Sequence, residues 1–481
     1  MGKLGSYSSN MILLNYVCWI SSVQGLPIQQ NLLDSKLKET VFAELDTLLR
    51  TNAININSHL GAADNLFQGD IVLSPEQKRE VESSRARRQA ISLARKWTNN
   101  TVYFYFDKDI EEKKKEAVRK AHQQLQTYTC VNFVESSTAW DRIKIINGSG
   151  CNSFVGMIGG EQMLSLGQYC DHVGTAAHEF IHALGMEHTH DRFDRDNFIL
   201  INTAVVNLLY LGSFSIIDPF RLTALVPYEL GSIMHYAADA FTSGSGKNSI
   251  VAKNTNYTYT MGSGLVSFYD LVSINTLYKC IDQLCPADQL PKCKNGGMPN
   301  PRKCSECYCP SGYGGTLCEQ RPPGCGQSFT ATAEWQSFET TLGDSTVKSS
   351  QNDYSYCIFW IEAPPGKKIE TKIIKMTTSF CSYGCYFNGI ELKLDVNSQP
   401  TGARFCCREF VNRTLTSDQN PMPIIHYNSF DQSSFSMQYR YVDAPCGIDH
   451  SMCNTTLSFC ADEAYSVNYR RHFCPKTCNF C

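Results

Sequence analysis

The sequence predicts a multidomain chain in which one large α+β domain is followed by three small disulfide-rich modules. The length of 481 residues has room for several domains of ~100–200 residues each. Hydrophobic residues make up 42% of the chain, which is enough to build packed cores and excludes a mainly disordered protein. The 23 cysteines are unevenly placed, since 18 of them follow residue 281.

The charge balance and the hydropathy pattern argue against two kinds of partner. The chain carries 43 Lys and Arg against 46 Asp and Glu, a net charge of −3, so it has no electrostatic footprint for nucleic acid. No apolar run reaches the ~18–20 residues that a membrane span needs. We therefore expect neither nucleic-acid binding nor a membrane span.

Residues 1–25 have the pattern of a secretory signal peptide. Lys3 precedes the short apolar stretch Met11–Ile20, and small residues follow before Leu26. A buried helix is the alternative. Removing the segment removes Cys18 and leaves 22 cysteines, an even number that can pair completely outside the cell. We predict a secreted glycoprotein with Asn-x-Ser/Thr acceptor sites at Asn99, Asn147, Asn256, Asn412 and Asn454.

Residues 26–88 are predicted to be a pro-segment. Leucine and valine recur with helical spacing between residues 26 and 55, and the segment ends in Arg85-Ala-Arg-Arg88. Such an arginine cluster is usually a solvated surface. Here it lies just before the alternating, strand-like Tyr103–Phe106, which favours cleavage after Arg88 by a basic-specific convertase.

Residues 89–281 are the largest cysteine-poor block and are long enough for one substantial core. Lys113–Tyr128 has the pattern of an amphipathic helix, and Gly156–Gly167 has that of strands interrupted by glycines. The stretch Met163–Leu166 is a candidate for binding substrate backbone by strand addition. An ordinary interior strand is the alternative.

The chemistry is concentrated in the segment that begins at His178. His178 and His182 are four residues apart, which places both imidazoles on one helix face, ~5–6 Å apart at their Cβ atoms. That separation suits two nitrogens, each ~2.0–2.1 Å from one Zn²⁺. Gly185 permits the turn that returns His188 as a third ligand with one position open. A Zn²⁺ ion lowers the pKa of a water bound at its open position to ~7, and Glu179 is placed to take the proton of that water.

A second motif, Ser232-Ile-Met-His-Tyr236, follows downstream. A long zinc motif followed by a Met-turn is the metzincin pattern, so we predict that Met234 lies beneath the metal and that Tyr236 approaches its open side. Core packing of the methionine is the alternative. Three other histidines do not fit the ligand spacing and are predicted to have supporting roles: His172, His190 and His235.

Taken together, these residues make the chain resemble the astacin family of secreted zinc endopeptidases over residues 60–281. Arg192-Phe-Asp-Arg-Asp196 continues the zinc motif as in that family. The segment Cys151–Cys170 is similar to its disulfide-bounded segment, and Phe67-Gln-Gly-Asp70 resembles its pro-segment motif. The implied fold is an α+β metzincin domain with a twisted sheet and a zinc-binding helix.

The resemblance also implies roles for individual residues. One zinc ion per subunit would be held by His178, His182 and His188, with Glu179 as general base. Tyr236 would be a mobile extra ligand that swings to stabilise the oxyanion. The implied disulfides are Cys130–Cys280 and Cys151–Cys170.

For the pro-segment and the new N-terminus, the resemblance gives one match and one departure. Asp70 would occupy the open metal position until cleavage after Arg88, with a plain Gly-Asp turn as the alternative. The family usually has Glu after the third histidine, where it engages the new N-terminal ammonium, but this chain has Thr189. The new N-terminus, Gln89, can cyclise and lose its charge, so we expect a neutral, hydrogen-bonded anchor instead of an ion pair.

Two of the three remaining modules follow the catalytic block. Residues 282–320 look like an EGF-like module, because Cys293-Lys-Asn-Gly-Gly297 precedes the cysteine-rich stretch Cys307–Cys318. Residues 325–443 resemble a CUB β-sandwich through Tyr356–Gly366 and Gly402–Cys406.

The last module, residues 446–481, resembles a small helical ShKT module, for which a stapled targeting role is preferred to channel blocking. The three modules imply disulfide-bonded cysteines and leave the pairing of Cys381, Cys385, Cys406 and Cys407 open. The implied cysteines are Cys285, Cys304, Cys293, Cys307, Cys309, Cys318, Cys325, Cys357, Cys446, Cys481, Cys453, Cys474, Cys460 and Cys478.

Two functions from different classes remain. The first is a secreted zinc endopeptidase, made as a latent zymogen, that hydrolyses extracellular proteins, with matrix or cuticle proteins as substrates by analogy. The second is a catalytically inactive, secreted matrix-binding scaffold built from the same modules. The ligands, the base and the tyrosine are all present, which favours the peptidase.

Overall fold

The computed structural model describes residues 51–84, 95–216, 225–243, 246–443, 453, 458–461 and 467–478. Several predictions lie outside these residues. They are the signal peptide (1–25), the first part of the pro-segment (26–50), the cleavage site at Arg88 with Gln89, the acceptor Asn454, and Cys446 and Cys481.

A six-stranded, mixed sheet forms the framework of the N-terminal domain. The strand order is β1-β5-β6-β4-β2-β3, with antiparallel pairing only between β5 and β6 among these described strands. The predicted strand at Tyr103–Phe106 is confirmed within β2. The strands are β1 (Ile71–Val72), β2 (Thr101–Phe106), β3 (Asn132–Glu135), β4 (Arg142–Ile146), β5 (Cys151–Phe154) and β6 (Glu161–Leu166).

The position of Met163–Leu166 corrects one expectation from the sequence. These residues belong to β6, which lies between β5 and β4 inside the sheet. The strand that has gained a partner is β5, since β1, which lies in the predicted pro-segment, pairs parallel with it through Ile71–Ser153 and Val72–Phe154. The alternation of residues in β6 therefore arises because one face of the sheet is more buried than the other. The strand that is added to the sheet, β1, pairs with the edge of β5.

Two helices carry the core beside this sheet. The amphipathic helix expected at Lys113–Tyr128 is confirmed as α3, in which Ala117, Val118, Ala121 and Leu125 recur every three or four residues and are buried. Helix α4 is buried from Gly174 to Ala183, as its apolar sequence requires. The helices of the domain are α1 (Ala53–Leu60), α2 (Pro75–Ser84), α3 (Glu112–Tyr128), α4 (Val173–Ala183), α5 (Phe268–Tyr278) and α6 (Cys280–Leu284). In a separate two-stranded sheet, β7 (Ile199–Ile201) pairs antiparallel with β8 (Ile250–Ala252).

The cysteine-rich region after α6 begins with a two-stranded unit and continues into a β-sandwich module (Ser328–Asp443). In β14 (Lys367–Thr377) and β19 (Gln432–Asp443) buried and less buried residues alternate, so that one face of this sheet meets the other sheet. The first sheet has the strand order β11 (Ser328–Thr330), β13 (Ser355–Glu362), β18 (Met422–Asn428), β15 (Asn388–Leu392) and β16 (Ala403–Phe405). The second has the order β12 (Gln336–Gly343), β19, β14 and β17 (Thr414–Ser417).

The strands of this region are β9 (Met298–Asn300), β10 (Lys303–Tyr308), β11 (Ser328–Thr330), β12 (Gln336–Gly343), β13 (Ser355–Glu362), β14 (Lys367–Thr377), β15 (Asn388–Leu392), β16 (Ala403–Phe405), β17 (Thr414–Ser417), β18 (Met422–Asn428) and β19 (Gln432–Asp443). Two short helices follow, α7 (Ser458–Ala461) and α8 (Val467–Phe473). Among the described residues, no helix combines the length and the apolar character that crossing a bilayer requires.

Described disulfides lie within the N-terminal domain, within the two-stranded unit, within the β-sandwich region and within the C-terminal segment. The four cysteines whose pairing the sequence left open join as Cys381–Cys407 and Cys385–Cys406. The other disulfides are Cys130–Cys280, Cys151–Cys170, Cys285–Cys304, Cys293–Cys307, Cys309–Cys318, Cys325–Cys357, Cys453–Cys474 and Cys460–Cys478.

Candidate metal centre

Helix α4 positions the first two histidines. Its N-terminus is capped by His172, whose Nδ1 accepts a hydrogen bond from Gly174 N at 3.1 Å. One turn apart, the rings of His178 and His182 have centroids 4.7 Å from each other. Past the helix end, Gly185 has φ +104°, a value that side chains disfavour, and the chain turns back.

His188 returns to the same point, and Asp70 of the predicted pro-segment joins it. The Nε2 atoms of His178 and His188 lie 2.9 and 3.2 Å from Asp70 Oδ2, and His182 Nε2 lies 3.7 Å from Asp70 Oδ1. The four ligand atoms are all within 4.8 Å of one another. Except for His178, which is nearly buried, the side chains are completely buried.

The hydrogen bonds on the far side of each ring show that this cluster fits a cation. His178 Nδ1 lies 2.8 Å from Ile233 O, and His182 Nδ1 lies 2.8 Å from Met186 O. A carbonyl can only accept, so each Nδ1 carries the proton and each Nε2 presents a lone pair toward the carboxylate. Lone pairs facing an anion repel it unless a cation lies between them. Three nitrogens and one oxygen are a donor set that suits zinc.

The pKa values of these groups give the protonation states that a metal requires. Burial lowers the pKa of His188 to about 4 and also lowers that of His182, so both imidazoles are neutral near pH 7. Burial by itself would raise the pKa of Asp70, but the neighbouring His188 and His182 hold it well below its usual range. Neutral imidazoles and an ionised carboxylate are the forms that bind metal.

Glu179 lies beside this cluster without belonging to it. Its side chain is completely buried, and neither carboxylate oxygen has a hydrogen-bond partner among the described residues. Burial, reinforced by the charge of Asp70, raises its pKa well above the usual range. A buried, unpaired carboxyl group of this kind is suited to holding and releasing a proton.

The predicted Met-turn is held by a neighbouring carboxylate. Asp270 accepts hydrogen bonds from Ser232 Oγ at 2.5 Å and from Ile233 N at 2.9 Å. Met234 is buried in the same apolar cluster as the inner face of α4, and its carbonyl accepts a hydrogen bond from Thr189 N at 3.0 Å. The turn thus ties the segment after the third histidine to the core beneath α4.

Tyr236 contacts the predicted pro-segment. Its ring stacks on His190 with centroids 3.6 Å apart, and its hydroxyl donates to the carbonyl of Gln68. The Gln68 side chain also reaches His188 Nδ1 at 3.0 Å through Oε1 and donates from Nε2 to Asp191 Oδ2 at 2.7 Å. Sequence reasoning assigned no role to Gln68, although it lies inside the recognised Phe67–Asp70 motif.

Asn57 is a second residue of the predicted pro-segment that sequence reasoning missed. From the buried side of α1 it donates to Gly69 O at 2.8 Å and to Cys151 O at 2.5 Å, and it accepts from Cys151 N at 2.8 Å. One side chain therefore pairs with the backbone of β5 as another strand would. A single asparagine in a short helix carries no local signal for this contact.

The remaining predicted residues are distributed as follows. Thr189 Oγ1 is buried and has no hydrogen-bond partner among the described residues. Of the predicted glycan acceptors, Asn99, Asn147 and Asn412 are exposed, whereas Asn256 is partly buried, with its Oδ1 enclosed. His235 Nε2 lies 2.8 Å from the Tyr228 hydroxyl and His190 Nε2 lies 2.9 Å from Ser213 O, and neither residue belongs to the group of candidate metal ligands.

The fold and the site together define a zinc-dependent peptidase of the metzincin type. The family model for the astacin peptidases matches residues 89–279. The zinc metalloproteinase nas-31 of Caenorhabditis elegans is 38% identical over 95% of this chain and 78% of its own length, and nas-17 of the same organism is 36% identical over 87% and 97%. Among solved structures, the medaka hatching enzyme HCE-1, a zinc-protease, is 30% identical over 39% of this chain and 94% of its own, with a TM-score of 0.36. The chain belongs to the astacin family and is a zinc metalloendopeptidase that acts on peptide or protein substrates.

Proposed function

We propose that this protein is secreted as a latent zymogen and that cleavage after Arg88 converts it into an extracellular endopeptidase. The observation that carries the proposal is the fully buried Asp70 carboxylate, which lies among three imidazoles where an open metal position is needed for catalysis. Secretion is supported by the signal-like residues 1–25 and by the ten described disulfides, which form in oxidising compartments.

Latency would come from occupation of the whole cleft by the pro-segment. Asp70 takes the metal position, Gln68 holds Tyr236 and His188, and Asn57 with β1 covers the backbone of β5. Removing these residues exposes the edge of β5 for the backbone of an extended substrate. Matrix or cuticle proteins are the proposed substrates, and the EGF-like, CUB and ShKT modules are the proposed targeting units.

The catalytic roles follow from the positions of the side chains. When bound by the three histidines, zinc supplies Lewis-acid chemistry to the scissile carbonyl and to the attacking water. Glu179 accepts a proton from that water as its oxygen bonds to the carbonyl carbon. The carboxyl group then transfers the proton to the departing nitrogen as the C–N bond breaks. The Tyr236 hydroxyl, freed from Gln68, donates a hydrogen bond to the developing oxyanion.

Chelation of the processed enzyme tests this function. Full-length protein is assayed on a fluorogenic peptide library before and after cleavage after Arg88, with and without 1,10-phenanthroline. We expect hydrolysis only after cleavage, loss of hydrolysis with the chelator, and recovery when stoichiometric zinc is returned. An unchanged rate of hydrolysis in the presence of the chelator would exclude the metal mechanism. Full activity before cleavage would exclude latency.

Tyr236→Phe separates the oxyanion role from metal binding. The substitution keeps the ring that stacks on His190 and removes only the hydroxyl, so the processed variant should lose about 10²–10³-fold in kcat while retaining one zinc per chain. Tyr228→Phe is the control, because its hydroxyl contacts His235 and no ligand. An unchanged kcat for Tyr236→Phe would remove this residue from the mechanism.

A further inference from the structure

The β-sandwich module covers the N-terminal end of α4, the helix that carries His178 and His182. Val173 N donates to Asn352 Oδ1 of the module at 2.8 Å. The Tyr386 hydroxyl of the same module lies 3.0 Å from His172 Nδ1 and 3.3 Å from Thr175 Oγ1. Two side chains of a separate module thus contact the first turn of the helix.

Where the β-sandwich module approaches the N-terminal end of α4, there is no room for additional side-chain atoms. A Cβ on Gly174 would lie 2.2 Å from the carbonyl oxygen of Gly264, and one on Gly264 would lie 2.4 Å from the Tyr386 ring. A Cβ on Gly384 would lie 2.0 Å from the carbonyl oxygen of Gly262. The loop at Gly262–Gly264 is therefore packed directly between α4 and the module.

These contacts satisfy groups that a helix leaves unpaired. The first N–H groups of a helix have no partner within it and are stabilised by capping side chains. Here His172 caps Gly174 N from within the peptidase domain, whereas the partner of Val173 N comes from Asn352. Burial lowers the pKa of His172 to about 4, so its neutral ring can accept hydrogen bonds at Nδ1.

A second contact reaches the segment that leads into the Met-turn. Glu229 accepts hydrogen bonds from both the backbone N and the Oγ1 of Thr401, each at 2.7 Å, and also from Ser267 Oγ at 2.5 Å. A Cβ on Gly231 would lie 2.4 Å from Thr401 Cβ. The module therefore holds both the helix above the metal position and the loop that precedes Met234.

We infer that Asn352 and Tyr386 are positioning residues of the metal centre, through which the β-sandwich module holds the register of α4. His178 lies only five residues after Val173, less than two helical turns, so fraying of the first turn moves the first ligand. The β-sandwich module has its own fold, and through these contacts it also positions the metal-binding helix of the peptidase domain. The inference concerns zinc retention and does not depend on secretion, latency or the role of Glu179.

The test uses the unprocessed full-length chain carrying Asn352→Ala, Tyr386→Phe or both. Zinc release to a chromogenic chelator and hydrogen exchange of the amides of residues 173–178 are measured on the same samples. Asn352→Ala should release zinc about fivefold faster, the effect expected for losing one helix cap. Tyr386→Phe should also release it about fivefold faster, the effect expected for losing one hydrogen bond, here to the capping His172. The double variant should exceed either single one, with faster exchange confined to the start of α4. Tyr441→Phe is the control, because it removes a tyrosine hydroxyl on strand β19 of the same module.

Two results would overturn the inference. One is zinc release within twofold of the wild-type rate in the double variant. The other is faster exchange spread evenly over the protein, which would indicate general destabilisation and not a local effect on α4. Repeating the exchange measurement on zinc-free protein should retain the difference at residues 173–178, because the capping contacts involve no metal.

Discussion

Replacing Glu179 with Gln in the processed enzyme is expected to lower kcat for peptide hydrolysis by about 10²–10⁴-fold, the range for loss of a general acid–base group. The amide has almost the same shape as the carboxyl group but cannot accept the proton of the attacking water. Both Glu179 oxygens lack hydrogen-bond partners among the described residues, so no structural bond is lost with the charge. Zinc content should remain at one ion per chain, because Glu179 lies outside the ligand set.

The measurement is single-turnover hydrolysis of a fluorogenic peptide together with metal analysis of the same sample. Glu135→Gln, an exposed position on β3, is the matched control and should retain wild-type kcat. A Glu179→Gln enzyme within tenfold of wild type would refute the role as general base. Loss of zinc from that variant would instead assign Glu179 to holding His178.

Removing the Asp70 carboxylate is expected to release latency without cleavage. Asp70 is completely buried and lies within 2.9–3.7 Å of the three histidine nitrogens. Deleting one partner of a buried ionic contact, here the carboxylate that faces the metal position, costs about 3–5 kcal/mol, which corresponds to a ~10²–10⁴-fold larger population of the open site. Unprocessed Asp70→Ala protein should therefore show hydrolysis that the unprocessed wild type lacks. Its rate should stay below that of the processed enzyme, because Gln68 and Asn57 still hold the pro-segment.

The experiment is made in a chain that also carries Arg88→Gln, so that processing at the proposed site does not contribute. Asp64→Ala is the control in the same pro-segment, because Asp64 pairs with the Tyr210 hydroxyl and does not enter the metal cluster. Asp70→Ala protein that stays as inactive as the control would show that latency rests on the other pro-segment contacts. Addition of Glu179→Gln should abolish whatever activity Asp70→Ala uncovers.

Much of the metal cluster was accessible from the sequence because it is local. The spacing of His178 and His182 depends only on the helical repeat, and Gly185 marks the turn that returns His188. The amphipathic helix α3 and strand β2 were likewise predicted from periodicity. For Met163–Leu166, the interior-strand alternative holds and strand addition does not. The sequence left both open because alternation along a strand shows which face is buried and does not show whether its edge has a partner.

Contacts between segments that are far apart in the sequence have no local pattern from which they could be predicted. Asn57 and Cys151 are 94 residues apart, and Val173 and Asn352 are 179 apart. A single side chain that forms a hydrogen bond across such a distance leaves no periodic pattern. The sequence does not show which of several possible partners that side chain has. The pairings Cys381–Cys407 and Cys385–Cys406 belong to the same class, since spacing alone does not choose among possible partners.

The amino-acid sequence by itself determined the chemistry of this protein, namely three histidines for one zinc ion, an adjacent carboxyl group, and a cysteine-stabilised set of modules. The tertiary structure alone decided that Gln68 and Asn57 of the predicted pro-segment contact Tyr236 and β5, and that a β-sandwich module caps the helix that bears two of the metal ligands. The physical reason is that ligand spacing arises from the backbone geometry of one helix and one turn. The neighbours of that helix are chosen by packing and hydrogen bonding among segments that meet only when the whole chain has folded.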